Sequence, residues 1–359
     1  MAIPHVDVKA QYAPLIPELK DAFARALESG RFIFGPEVEG FERDAAEYLG
    51  VAETVGVANG TDAIVIALDA LEIGPGDEVI CPSFTFYATA EAIVRRGATP
   101  VFAEIDPATL NLDSADVERR ITARTKAIMP VHLFGRPAPV EELKQLGPAI
   151  VEDAAQAFGS PGIATSVAST FSFFPSKNLF ALGDGGLISV NDAELAERIR
   201  MLRFHGSRAK KEFVYVGYNS RLDAIQAAAL RIFLPHLDEW TRLRREAAVR
   251  YGELGLAEIA DLPADEPGHV YHMYAVRTGE RDALSAALSE AAIHHAAFYT
   301  TPLHLQPALR FLGYSEGDFP ETEKAARENL CLPVWAGISE EQQAEVVGVL
   351  RRSSSLARA

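Results

Sequence analysis

The chain has 359 residues, with 34 Lys and Arg against 50 Asp and Glu, a formal charge of −16, and 48% apolar residues. An acidic excess of this size disfavours nucleic acid and anionic membranes, which are bound through basic surfaces. The apolar content excludes a disordered chain, and the length allows a large core or two domains of roughly 100–200 residues each.

Residues 36–49 begin with Gly35-Pro36 and place Val38, Phe41, Ala45 and Tyr48 at spacings of three and four, which predicts an amphipathic helix with proline in its first turn. An apolar run at 54–58 then predicts a strand, Asn59-Gly60-Thr61-Asp62 a turn, and Ile64, Ala67, Leu68 and Leu71 one face of the next helix. Gly74-Pro75-Gly76-Asp77 marks another turn, followed by a strand at 78–82, a helix at 88–95 and a strand at 99–105. The alternation continues with a strand at 126–131, a helix near 140–146 and a strand at 150–153. Apolar strands separated by helices imply an α/β fold with a mostly parallel sheet covered on both faces.

Strands at 170–174 and 187–190 flank Gly183-Asp184-Gly185-Gly186, and a long helical region runs from 223 to 256. Shorter elements follow: a strand at 271–277, helices at 281–291 and 321–328, and a last helix from Ser339. A domain boundary is expected near residue 240, dividing 1–240 from 241–359, and the Ser353-Ser354-Ser355 tail is expected to fray. Cys81 and Cys331, far apart, form neither a disulfide framework nor a metal knuckle, so no metal site is expected. The first residues lack a basic start and an apolar run, and no stretch reaches the roughly 20 apolar residues of a membrane span. A cytoplasmic location is the expectation.

Ligands of open α/β sheets collect outside the carboxyl ends of the strands. Asn59-Gly60-Thr61-Asp62 lies there at a helix start, where free N–H groups and the helix dipole favour an anion, although an ordinary N-cap reads the same way. Ser172 is a further phosphate donor. Asp153 follows Ile150-Val151 and emerges from a buried strand end, where a carboxyl needs a partner. Lys177 sits among Pro175, Leu179, Phe180 and Leu182; such a lysine is either a desolvated amine fit for a Schiff base, a salt-bridge partner of Asp153, or a surface lysine. An anion cradle, an aromatic at a strand end (Phe86), a buried acid and an apolar-flanked lysine together make up the parts of a pyridoxal phosphate site.

Five ordered motifs make this specific: Gly60-Thr61-Asp62-Ala63, Val151-Glu152-Asp153-Ala154-Ala155-Gln156, Phe171-Ser172-Phe173-Phe174-Pro175-Ser176-Lys177-Asn178, Gly183-Asp184-Gly185-Gly186 and Gly217-Tyr218-Asn219-Ser220-Arg221-Leu222-Asp223. They resemble the signatures of the DegT/StrS-type nucleotide-sugar aminotransferases, a branch of the fold-type I pyridoxal phosphate enzymes, over almost the whole chain. The resemblance implies a large domain with a mostly parallel sheet sandwiched by helices, plus a smaller α+β C-terminal domain. It implies that Lys177 forms the internal aldimine, that Asp153 pairs with the pyridinium nitrogen, that Gln156 sits by the 3-hydroxyl and that Phe86 stacks on the ring. Gly60, Thr61 and Ser172 would hold the phosphate, with Asp62 beside them in the cofactor-binding set. Asn219 would reach the phosphate of the neighbouring subunit, which implies a homodimer with shared active sites. Arg221, Tyr299, His304 and His132 match positions in or near the sugar-nucleotide site, although His132 reads equally well as structural. The stretch between Gly159 and Thr170 is shorter than the hairpin usual between the acid and lysine motifs.

The implied reaction moves an amino group from L-glutamate to a 3- or 4-keto hexose carried on UDP or dTDP, by a ping-pong route through pyridoxamine phosphate. A related sugar dehydratase carries histidine where Lys177 stands, which ranks dehydration below transfer. A silent cofactor-binding regulator is the rival from another class, and a nicotinamide enzyme lacks GxGxxG after the first strand. Arg203, His205, Arg208, Lys210 and Lys211 either close over a diphosphate or form a solvated loop, while Arg242, Arg244, Arg245 and Arg250 read as an exposed helix face. Helix N-termini, Lys177 and Arg221 are expected to make the pocket locally positive.

Overall fold

In a computed structural model that describes residues 2–355, helices α1 (Val8–Tyr12), α2 (Ile16–Ser29) and α3 (Pro36–Leu49) precede the first strand. Pro36 sits in the first turn of α3, where the N–H it lacks has no acceptor, and Gly50 ends the helix in the left-handed conformation. There follow β1 (Glu53–Val57), α4 (Gly60–Ala70), β2 (Glu78–Pro82), α5 (Ala88–Arg95), β3 (Thr99–Ala103), α6 (Ser114–Arg120), β4 (Thr125–Ile128), α7 (Val140–Lys144), β5 (Ala149–Asp153), β6 (Ala168–Ser172) and β7 (Gly186–Val190). The seven strands form one sheet in the order β1-β7-β6-β5-β4-β2-β3. β2 to β6 pair in parallel, while β7 runs antiparallel to both β6 and β1. Only β7 is therefore reversed, and β1, β2, β5 and β6 present their carboxyl ends along one edge.

Burial explains the composition of these elements. β2 and β7 are buried at every position, which continuous apolar strands require. α4 is buried at Ala63 through Leu68 and at Ala70, on nearly all sides, and packs against β6, β7 and α5. A helix this apolar belongs inside the molecule.

The expected long helix at 223–256 is two helices, α8 (Ala193–Leu202) being followed by α9 (Ala224–Phe233) and α10 (Leu237–Glu253), with a 3₁₀ turn carrying Pro235 between the last two. Proline donates no N–H and interrupts the helix there. β8 (Tyr274–Arg277), α11 (Arg281–Glu290), α12 (Pro320–Glu328), β9 (Asn329–Leu332) and α13 (Glu340–Ser353) complete the chain. β8 and β9 form a separate antiparallel pair. Residues of α10, α11 and α13 share its apolar cluster, and so does Ile3, which bridges to Ile293. The N-terminal arm is thus anchored far from its own neighbours in sequence.

Two expectations are corrected here. The serine tail is held: the Ser354 hydroxyl donates to Glu280 at 2.6 Å, and Ser355 donates to the same carboxylate. The four arginines of α10 do not make one exposed face. Arg242 lies outside between Glu239 and Glu246, whereas Arg244 is 1% exposed and donates to the carbonyls of Tyr271 and Val334 and to Gln11. Among the described residues, no helix is long and apolar enough to cross a membrane, and no group of three His, Cys, Asp or Glu is placed to hold a metal.

Candidate active site

A cavity of about 920 Å³ opens at the shared carboxyl edge, lined among others by Gly60, Thr61, Phe86, Asp153, Ser172 and Lys177. Asn59 caps α4 by accepting the Asp62 N–H at 2.8 Å, so the first N–H groups of the helix stay directed toward the cavity. A Cβ on Gly60 would lie 2.7 Å from the Ser172 Cβ. Glycine is therefore what lets the start of α4 meet the end of β6 and bring the Ser172 hydroxyl beside those amides.

Asp153 ends β5 in the buried interior. Its Oδ2 accepts from the Thr89 hydroxyl at 2.8 Å and its Oδ1 from the Ala155 N–H at 3.2 Å. Burial nonetheless raises its carboxyl above the ordinary carboxylate range. A cation placed in the cavity would reverse that shift.

Lys177 lies in the link from β6 to β7, where its N–H bonds the Phe174 carbonyl and Phe173, Leu179 and Phe180 are wholly buried. These apolar flanks fix the backbone and leave the amine to the cavity. Desolvation pushes that amine down to about 8, against the opposing pull of Asp153. Among the described residues the two groups form no ion pair, so the salt-bridge reading falls away.

Gln156 accepts the Phe134 N–H at 2.8 Å and donates to the Tyr299 hydroxyl at 3.1 Å. Tyr299 stacks on Phe134 with 5° between the rings, and Phe86, 58% exposed, stands at the mouth. Asp62 joins the lining 4.0 Å from Arg95.

Other expected residues lie elsewhere. His304 does not line the cavity: it is buried, its Nδ1 is 2.6 Å from Ser83 Oγ and its Nε2 3.1 Å from Glu323 Oε1. His132 is likewise outside the lining, fully buried between Glu152 at 2.9 Å and the Ala138 N–H. Arg221 and Asn219 do not line this cavity; the Arg221 guanidinium lies 5.8 Å from the Phe204 ring. Arg203 leaves the expected basic loop, being buried against Glu42 and the Gly56 carbonyl. Nor is the pocket locally positive: Asp62, Glu91, Asp153 and Asp184 line it against Lys177 and Arg95.

Three residues at the site were not singled out from the sequence. Thr89 lies one turn after Phe86, Asn178 follows the lysine, and His272 comes from a segment almost 100 residues further on. Only Asn178, inside a quoted motif, carried a signal in the chain.

The sequence model of the DegT/DnrJ/EryC1/StrS aminotransferase family matches residues 15–351. The chain belongs to that family. It is 48% identical to a "Pleiotropic regulatory protein" of Geobacillus stearothermophilus, over 97% of each chain. It is 45% identical to a dTDP-3-amino-3,4,6-trideoxy-alpha-D-glucose transaminase of Streptomyces venezuelae, over 97% of this chain and 95% of that one. Among solved structures, S. venezuelae DesV in complex with a ketimine intermediate superposes with a TM-score of 0.95 at 44% identity, covering 98% of both chains. The expected fold, a helix-covered mostly parallel sheet of the fold-type I kind, is therefore the fold of this aminotransferase.

The 160–169 stretch is well anchored. The Glu152 carboxylate, fully buried, accepts from His132 and from the N–H groups of Ala164, Thr165 and Ser166. These donors hold its carboxyl down to about 2 despite burial. The cavity also fits the family's cofactor: glycine opens the phosphate end, Asp153 makes no ion pair among the described residues, and the Lys177 amine lines the same cavity.

Proposed function

We propose that the protein is a pyridoxal phosphate-dependent aminotransferase that moves the amino group of L-glutamate to a keto-hexose carried on dTDP or UDP. The observation that carries this reading is the pairing of an unpartnered, desolvated Lys177 amine with a buried Asp153 carboxyl across one cavity that begins at a helix N-terminus. When bound, pyridoxal phosphate supplies an aldehyde that captures amines and a ring that withdraws electrons. The α4 N–H groups, Thr61 and Ser172 bind its phosphate. Asp153 holds a proton on its ring nitrogen, and Phe86 covers its ring and excludes water. The neutral Lys177 amine takes the proton from the α-carbon of glutamate and returns one to the sugar carbon that gains nitrogen.

The protein works as a cytoplasmic homodimer in which Asn219 and Arg221 serve the neighbouring subunit, and residues 1–240 and 241–359 act as large and small domains. The reading of a silent regulator requires an idle site, against which stands the set of Lys177, Asp153 and Ser172 on one cavity. Lys177→Ala with pyridoxal phosphate is the test. Loss of both the visible absorbance band and turnover is expected, and retention of both overturns the assignment. Glutamate-dependent loss of that band in the wild type separates an enzyme from a regulator. A panel of aminated nucleotide sugars with 2-oxoglutarate then identifies the sugar.

A further inference from the structure

His272 is buried in the wall of the active-site cavity, two residues before β8, and its Nδ1 is buried with no hydrogen-bond partner among the described residues. Most buried polar side-chain atoms are paired, so an imidazole left free at a site calls for a partner that the resting chain does not supply.

The surrounding backbone is held in an unfavourable shape to place it there. Tyr271 has φ 45°, a left-handed conformation that a bulky residue adopts only where its surroundings over-determine it. Its carbonyl accepts from the buried Arg244 at 3.3 Å, and its N–H donates to His269 Nδ1 at 3.1 Å. Its ring stacks on His269 at 3.8 Å, and its hydroxyl donates to Asp265 at 3.2 Å. Asn178, the neighbour of Lys177, donates its amide to the Val270 carbonyl at 2.8 Å. The segment bearing the amine and the segment bearing the imidazole are thereby tied together beside both groups.

We propose that His272 is a positioning residue for Lys177: the two make no bond in the resting chain, but once glutamate has displaced the amine from the cofactor the imidazole accepts a hydrogen bond from it and holds the amine lone pair toward the α-carbon it must deprotonate. This rests on the aminotransferase reading above. The charged and titratable groups that face the ring are Lys177 from the β6–β7 link, Arg244 from α10 and His5 from the N-terminal arm. With burial, all three oppose its protonation, so the ring stays neutral and keeps an acceptor nitrogen.

The test uses the pyridoxal phosphate-loaded protein, first in the wild type, where glutamate must discharge the visible band; failure there sinks the aminotransferase reading and this proposal with it, whereas a discharged band leaves the variants to judge His272 alone. His272→Phe keeps the ring volume and removes both nitrogens, and His272→Gln restores an acceptor. The half-reaction rate constant of His272→Phe is expected to fall about tenfold to a hundredfold with little change in glutamate affinity, while His272→Gln recovers most of it. In the cofactor-free protein, the pH midpoint for chemical modification of Lys177 should also move in His272→Phe. An unchanged rate constant and an unchanged midpoint, with a wild-type melting temperature, would reduce His272 to a space-filling ring and overturn the proposal. Should His272→Phe not fold, His272→Leu is judged on the same two readouts.

Discussion

At the scale of the residue, the site turns on how two ionisable groups are displaced in opposite directions by one burial. An ordinary lysine at pH 7 is neutral to only about 0.03%, whereas an amine near 8 is neutral to roughly a tenth, a gain of about 300-fold in usable base. Capture of pyridoxal phosphate by the cofactor-free protein should therefore rise with pH through a midpoint near 8, the value to which desolvation pushes the amine. A midpoint at the ordinary lysine value, read by stopped-flow absorbance, would mean that the amine is solvated. Asp153 moves the other way because burial outweighs its hydrogen bonds and the more distant Lys177. Asp153→Asn should leave the fold intact and lower the rate of amino transfer by about a hundredfold or more, because an amide cannot hold the ring-nitrogen proton by charge. Wild-type turnover in that variant would remove Asp153 from the chemistry. Both groups were legible in the sequence, since apolar neighbours announce burial for residues that have no reason to be buried. Thr89 was not legible, because nothing in the chain says that its hydroxyl meets a strand end 64 residues away.

At the scale of the element, α4 and the 160–169 stretch carry separate consequences. A methyl group added to Gly60 meets Ser172 Cβ at 2.7 Å, and both atoms belong to packed elements that cannot easily yield. Gly60→Ala should weaken cofactor binding by about 1–3 kcal/mol; this would appear as a smaller rise in melting temperature on adding pyridoxal phosphate, while an undiminished rise would mean that α4 slides freely. The 160–169 stretch depends on Glu152, whose carboxyl is held down to about 2. A carboxyl depressed on folding contributes stability that is present above its unfolded value, near 4.5, and is lost as pH falls toward 2. Glu152→Gln should be less stable than the wild type by roughly 3 kcal/mol near neutrality, and the difference should narrow below pH 4 in urea melts taken across pH. The alternation of strand and helix up to residue 190 was legible because each unit is short and carries its own turn signals. The C-terminal third was less so. Tyr271 leaves extended geometry because Arg244, His269 and Asp265 hold it, and Arg244 is buried because Gln11 and two carbonyls receive it. The contacts of Arg244 with Gln11 and Val334 span 233 and 90 residues, and local pattern does not encode them.

At the scale of the whole molecule, the charge of −16 meets a site whose ligands are themselves anions. One chain surrounds its cavity with Asp62, Glu91, Asp153 and Asp184 against Lys177 and Arg95, an excess of acid that within that chain only the α4 N–H groups offset, at the phosphate end. Cations that could offset it, Lys210, Lys211 and Arg221, lie on the 205–221 stretch that does not line its own cavity. The same stretch exposes Phe213 at 59% and Val216 at 96%, beyond what an isolated surface explains. The proposed second copy would answer both observations by covering these side chains and lending Asn219 and Arg221 across a two-fold axis. Complementation tests this directly. Lys177→Ala should be inactive, and a variant carrying Asn219→Ala with Arg221→Ala should be nearly so. After the two are mixed and exchanged, half of the dimers are mixed, and each has one site free of both lesions, so activity should return to about a quarter of wild type. If Asn219 and Arg221 serve their own chain, every site in every mixed dimer is defective, and no activity returns.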